Sequence, residues 1–347
     1  MAAMKPITIV GGGLAGLTLG IGLRQRGVPA ALWEAGHYPR HRVCGEFICG
    51  RGQETLARLG LRELLERAGA VGADTAAFFS ATQSTRPLPL PSRAICLSRF
   101  TLDATLAEKF RELGGELWEG KRRSDGDAGE GVVRATGRRL QPEEGGARWF
   151  GLKVHARNVP LTAGLEMHVS SRGYVGLCRI NGGLVNVCGL FRRRPGESVG
   201  PQNRGELLRG PIGSPLHQRL ASAEFDEDSF CAVAGLSLQP YRAVARADCC
   251  IGDAITMIPP VTGNGMSMAF ESAELAIEPL AAWSRGGNSW AGTRPQIASR
   301  CDAAFARRLA WAKWLQRFVL MPPLQSTLVR LAARNDWFWR LAFEKTR

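Results

Sequence analysis

The chain has 347 residues, 45% hydrophobic and 22% charged, with a formal net charge of +14. That composition describes a globular protein large enough for two lobes, and no run of about eighteen apolar residues free of charge argues for a membrane span. Nine cysteines without a C-x-x-C pair argue against a zinc ribbon or a disulfide framework and for reduced thiols in the cytoplasm, and five scattered histidines make no metal cluster. The basic charge comes without a helix-turn-helix, zinc finger or RNA-binding sheet signature, so nucleic acid is not an expected partner.

Ile7-Thr8-Ile9-Val10 reads as a short buried strand running into Gly11-Gly12-Gly13-Leu14-Ala15-Gly16, which opens an apolar helix ending at Gly27. A second strand, Ala30 to Trp33, ends at Glu34. In that setting Gly11 permits a tight turn, Gly13 lets backbone approach a pyrophosphate, and Gly16 packs helix on strand. The helix N-terminus receives the phosphates, and Glu34 meets ribose hydroxyls and disfavours a 2′-phosphate. The run Ile7 to Leu23 lacks a charged n-region and cleavage site and reads as mature fold rather than a signal peptide.

Helices around Glu54 to Leu59 and Leu61 to Ala68 are punctuated by Gly60 and Gly69, and a further helix starts at Ser98-Arg99 and ends at Gly114-Gly115. Between them Ala76 to Leu97, with its prolines, reads as edge structure of a second lobe. Phe150 to Arg157, Gly164 to Ser171, Gly173 to Ile180 and Gly183 to Phe191 read as an antiparallel sheet, with a hairpin at Asn181-Gly182-Gly183. Residues 193 to 222 read as a surface loop leading to a short helix. Gly252-Asp253 then precedes Met257-Ile258-Pro259-Pro260-Val261-Thr262-Gly263-Asn264-Gly265-Met266 and a helix with Met266, Ala269, Ala273, Ala276 and Leu280 on one face, which Pro279 should kink or end. Residues 302 to 347 hold nine Lys/Arg against three acids, interleaved with tryptophan and phenylalanine. They suit a helical cap on the lobes or, alternatively, peripheral contact with a membrane surface.

With both nucleotide motifs in view, the chain resembles the FAD-dependent oxidoreductases built like para-hydroxybenzoate hydroxylase and the geranylgeranyl reductases, the group A flavin monooxygenase superfamily. The resemblance spans nearly the whole chain. It implies an α/β fold: a Rossmann-like FAD-binding domain with a doubly wound parallel sheet (1–75, 98–147 and 246–285), an interleaved antiparallel β-sheet substrate domain (76–97 and 148–245), and a C-terminal helical cap (286–347). FAD would lie on Gly11, Gly13, Leu14, Ala15, Gly16, Glu34, Arg42, Arg99, Gly252, Asp253, Gly263, Asn264, Gly265 and Met266. Of these, Asp253 would take the ribityl chain, and Gly263 to Gly265 would face the N1/O2 edge of the ring at a helix N-terminus. Within Arg42-Val43-Cys44-Gly45-Glu46-Phe47, Cys44 would sit beside the ring as a proton donor or a small buried thiol, and Glu46 is a candidate acid or base or a structural hydrogen-bonding group. Tyr174, Cys178 and Pro260 would line the substrate pocket.

Three places depart from the family pattern. The family's middle strands are shortened here, where Glu116 to Arg134 is short, charged and glycine-rich. Ala135-Thr136-Gly137-Arg138-Arg139 lacks the family's aspartate, so NAD(P)H stays open as the electron donor. Tyr174-Val175-Gly176-Leu177-Cys178-Arg179 stands where the reductases carry Y-x-W-x-F-P and flavin halogenases W-x-W-x-I-P. The expected activity is oxygenation, by reduced FAD and O2, of a hydrophobic aromatic, polyketide-like or isoprenoid small molecule in a dry pocket. The alternatives are reduction of a carbon-carbon double bond and a non-catalytic flavin- or lipid-binding role.

Overall fold

The computed structural model describes residues 3–123, 129–138, 148–193, 200, 202–236 and 239–345. Strand β1 (Ile7–Val10) runs into α1 (Leu14–Arg24), a helix buried from Leu14 to Leu23 and therefore apolar on all sides. Strand β2 (Ala30–Trp33) returns parallel to β1, with Ile7 opposite Ala30 and Val10 opposite Trp33. A two-residue strand β3 (Phe47–Ile48) is followed by α2 (Arg51–Arg58) and α3 (Arg62–Arg67). Strands β4 (Val71–Phe79) and β5 (Leu88–Cys96) lead to α4 (Arg99–Glu112), where the Ser98 hydroxyl caps the helix by accepting the Thr101 N–H.

Next come β6 (Glu116–Trp118), β7 (Val132–Arg134), β8 (Arg148–Arg157), β9 (Leu165–Ser170), β10 (Gly173–Arg179) and β11 (Val185–Arg193). Helices α5 (Gln202–Arg209) and α6 (Pro215–Arg219) precede the long β12 (Glu224–Leu236) and the short β13 (Cys249–Cys250). The chain closes with α7 (Gly265–Ser284), α8 (Trp290–Val319), α9 (Pro322–Arg334) and α10 (Asp336–Lys345).

Two sheets result. The first is all parallel, in the order β13-β7-β1-β2-β6. Its core is shared with α1, α4 and α7, through residues such as Leu17, Phe110 and Phe270. Arg308 of α8 donates to both carboxylate oxygens of Glu271 on α7, at 2.7 and 2.5 Å, and this buried fork docks the C-terminal helices on the lobe.

The second sheet has eight strands in the order β12-β8-β11-β10-β9-β4-β5-β3, with only β4 and β9 parallel. Alternation along β8 splits its side chains between two faces. Phe150, Leu152, Val154 and Ala156 join an outer cluster with Leu208, Leu216 and Leu220, so α5 and α6 cover that face. Gly151, Lys153 and His155 fall on the inner face.

Several expectations change. The segment Ala76 to Leu97 is edge structure only in part: β4 sits between β9 and β5, with Ala73 and Ala76 buried in a core, while β5 has only the two-residue β3 beyond it. The stretch 193–222 contains two short helices rather than one among its described residues. Helix α7 passes through Pro279 to Ser284, held by burial of Ala276, Ile277, Leu280 and Ala281 around the proline. Strand β12 went unanticipated because Glu224, Asp226, Glu227 and Asp228 hide it behind a charged pattern.

Candidate functional site

The turn after β1 needs its glycines for separate steric reasons. Gly11 has φ 108°, and a Cβ there would collide with the Ala135 carbonyl across the sheet. A Cβ on Gly16 would collide with the Gly11 carbonyl, so this glycine lets helix and turn close on each other. Gly13 differs, since a Cβ there meets no atom within 4 Å. The space in front of Gly13 belongs to a cavity of about 1440 Å³. That exceeds the roughly 300–1,000 Å³ of a single small-ligand pocket and gives room for an extended dinucleotide and a second molecule.

Glu34 stands at the end of β2 as a buried carboxylate. Its Oε2 accepts the Gly12 N–H at 2.8 Å, and its Oε1 accepts the Gly36 N–H at 2.9 Å and pairs with Arg40 at 2.5 Å. Burial alone would raise its pKa, but the Gly36 N–H and the Arg40 guanidinium outweigh burial and hold it below the usual range. Arg42 bridges outward from Glu34 (3.6 Å) to Asp103 (3.3 Å), and Asp103 is gripped from the other side by Arg99 at 2.6 and 2.7 Å. Glu34, Arg42 and Arg99 all line the cavity.

The second motif meets the first across this space. Gly252 follows β13 with φ 60°, and its N–H donates to the Ser272 hydroxyl of α7. Asp253 projects into the cavity. Burial pushes its carboxyl up to about 6, against the pull of Arg138 and Arg99. A left-handed Gly263 (φ 63°) and Asn264 turn the chain into α7, so Gly263, Gly265 and Met266 present the helix N-terminus to the cavity. Gly16, Gly252 and Asn264 support these turns without lining the cavity.

The Asp253 shift has a testable sign. A carboxyl whose folded pKa lies above its ordinary 3.8 stabilises the fold only while protonated, so the ligand-free protein should lose stability as pH rises from 3.8 through about 6. Thermal melts of wild type and Asp253→Asn across that window check it. The variant should lack this component, and parallel curves would refute the assignment.

Loop residues Arg42 to Glu46 lie on the inner face of the second sheet. Asn186 of β11 donates to the Cys44 carbonyl at 3.0 Å, and the Cys178 thiol of β10 donates to the Gly45 carbonyl at 3.2 Å. Glu46 has φ 54° and is fully buried, with Oε1 accepting the Arg99 N–H at 2.8 Å and Oε2 2.7 Å from His155 Nε2. The Lys153 ammonium, also fully buried, lies 3.4 Å from Oε1 and 3.1 Å from His41 Nδ1. Burial, Lys153 and His155 push the His41 imidazole down to about 4, so at neutral pH it is uncharged and accepts from Lys153. Glu46 is therefore the anchor of a charged cluster, bonded on both oxygens.

Cys44 lines the cavity, and burial raises its thiol pKa despite Arg99 nearby, so it stays a neutral thiol. Tyr174 and Pro260 also line the cavity. Cys178 lies on the same face of β10 as Tyr174 but does not reach the cavity, because the Gly45 carbonyl covers it. Met167, Leu190 and Leu236 make an apolar wall opposite the nucleotide motifs, and Trp311 and Trp314 of α8 border the same space. Of the segment Ala135 to Arg139, Arg139 lies outside the described residues. Among the described residues no cluster of His, Cys, Asp or Glu suits a metal ion.

Lys153, His155 and His41 were not singled out from sequence. A Lys and a His two apart on a strand share one face, and that spacing between apolar neighbours was the available signal.

No protein-family model and no curated protein matches the chain. Solved structures of similar shape do. The flavin-dependent brominase Bmp2 superposes with a TM-score of 0.72 at 19% identity, covering 99% of each chain. A geranylgeranyl bacteriochlorophyll reductase-like protein from Thermoplasma acidophilum gives 0.75 at 17% identity, over 99% of this chain and 96% of the other. PqsL of Pseudomonas aeruginosa, solved with 2-aminobenzoylacetate, gives 0.70 at 16% identity, over 95% and 100%. By its two-sheet architecture and these likenesses, the chain has the fold of the FAD-dependent flavoenzymes.

Proposed function

We propose that the protein is an FAD-dependent oxidoreductase that oxygenates a hydrophobic small molecule. One observation carries this reading: a single cavity joins the two nucleotide motifs to an apolar wall on the second sheet. The residues present fit the cofactor, because backbone leaves space in front of Gly13 and Asp253 turns a carboxylate to the cavity. Gly11 to Gly16 would hold the pyrophosphate at the N-terminus of α1, Glu34 the adenosine ribose and Asp253 the ribityl chain. Gly263 to Met266 would present N–H groups to the ring edge. When bound, the flavin supplies the two-electron and oxygen chemistry. The protein's part is to orient the reactants and keep water out, which Met167, Leu190, Leu236, Met257 and Val261 suit by their apolar packing. The same fold holds the aromatic 2-aminobenzoylacetate in PqsL, in keeping with an aromatic substrate.

Carbon-carbon double-bond reduction is the second reading, and one observation favours it. Cys44 keeps its proton and borders the cavity, so it could pass that proton to a carbon. Isotopes separate the two. Incorporation of labelled O2 into product supports oxygenation, and solvent deuterium entering a new C–H bond under anaerobic conditions supports reduction. In the second case Cys44→Ser should slow turnover by about 10²- to 10⁴-fold. Protein that neither retains nor takes up FAD would overturn both.

A further inference from the structure

Five of the nine exposed large hydrophobic side chains among the described residues fall between residues 311 and 337: Trp311, Trp314, Met321, Leu331 and Trp337. Between residues 307 and 345 the sequence has eight Lys/Arg against two acids, and Lys313, Arg317, Arg330, Arg334 and Arg340 are exposed. Trp311 and Trp314 have two further properties. Each is more than a third exposed, and each also lines the cavity, so they stand where it opens through α8. Trp314 is braced by Trp311 and Phe318, at ring distances of 5.5 and 4.3 Å.

We propose that this face of α8, α9 and α10 docks on the surface of an anionic lipid bilayer, with the cavity mouth at Trp311 and Trp314 turned toward the lipid. Tryptophan beside arginine is the composition that settles at a headgroup boundary, where the ring stays half-immersed and the cation meets phosphate. A hydrophobic reactant would then enter from the bilayer without crossing water, a step that rests on the proposed hydrophobic substrate. The contact is peripheral, since no described helix is long and apolar enough to cross a membrane. An acidic protein would also answer the charge, but it would not call for tryptophans that line the mouth of an apolar-walled cavity.

The test is co-sedimentation of the full-length protein with vesicles of phosphatidylcholine alone or mixed with phosphatidylglycerol, at about 0.1 M salt, where the Debye length is about 10 Å, and at about 1 M, where it is about 3 Å. Binding should appear with the anionic vesicles at low salt and fall at least about tenfold at high salt. Trp337→Ser and the pair Arg330→Glu/Arg334→Glu lie away from the cavity lining, and each should weaken binding about tenfold while the flavin content stays unchanged. Tryptophan fluorescence of the wild type should be quenched by lipids brominated in the acyl chain, a readout that needs no variant. Protein that stays in the supernatant with anionic vesicles, or binding that neither set of substitutions alters, overturns the proposal and leaves the patch to a protein partner. Yellow protein that ignores vesicles overturns the docking alone, and colourless protein that binds them overturns the cofactor reading alone.

Discussion

Gly13→Val should leave the free protein folded and abolish FAD binding. A valine Cβ at this position meets nothing within 4 Å, and the backbone at φ −82° and ψ −174° is extended, which a β-branched residue accepts. Stability should therefore change by less than about 1 kcal/mol, as for a substitution without steric conflict. The side chain would stand where the pyrophosphate must approach, so affinity should fall by about a hundredfold or more. Denaturation of the flavin-free protein and a flavin titration together measure both halves. Gly16→Val is the control, because its side chain meets the Gly11 carbonyl and should cost stability before any ligand is added. Normal FAD binding by a folded Gly13→Val protein would end the nucleotide assignment.

The second large effect concerns Glu46→Gln. The substitution leaves the Lys153 ammonium, with no solvent exposure, facing a neutral amide. Breaking a buried ion pair from one side costs about 3–5 kcal/mol, since the surviving charge loses its compensation. The urea midpoint should fall accordingly. Adding Lys153→Met to Glu46→Gln should recover part of the loss, because the stranded charge is then gone. Equal midpoints for wild type and Glu46→Gln would mean that the cluster does not hold the loop.

Much of this was legible in the sequence where local geometry forces residue choice. Gly11 and Gly16 stand at fixed offsets between strand and helix because each faces a different backbone carbonyl, Gly13 between them opens on the cavity, and Gly252-Asp253 and Gly263 mark turns. The hairpin at Asn181 to Gly183 was readable too, since Gly182 and Gly183 have φ of 72° and 70°. Placement that depends on distant partners was not. Cys178 has the strand position of a pocket residue, yet a carbonyl from a segment 133 residues earlier covers it. Glu46 read as an acid or base or as a structural hydrogen-bonding group, and its partner His155, on β8 at 2.7 Å, is 109 residues away in the chain. The edge assignment of Ala76 failed because pairing between β4 and β9 joins segments about ninety residues apart.

The order of the parallel sheet bears on how the chain matures during synthesis. Strand β13 and helix α7 are made last among the pieces of the parallel-sheet lobe, yet β13 closes the free edge of β7, and α7 packs on α1 from more than two hundred residues away. Even the N-terminus waits, since the Lys5 N–H donates to the Ser284 carbonyl. A nascent chain that has passed β12 therefore still shows an unpaired strand edge and the apolar side of α1. Such surfaces invite association with other chains until the final third emerges. Fragments ending before residue 249 should accumulate as aggregates, and the period of greatest exposure to chaperones should coincide with translation of the second sheet.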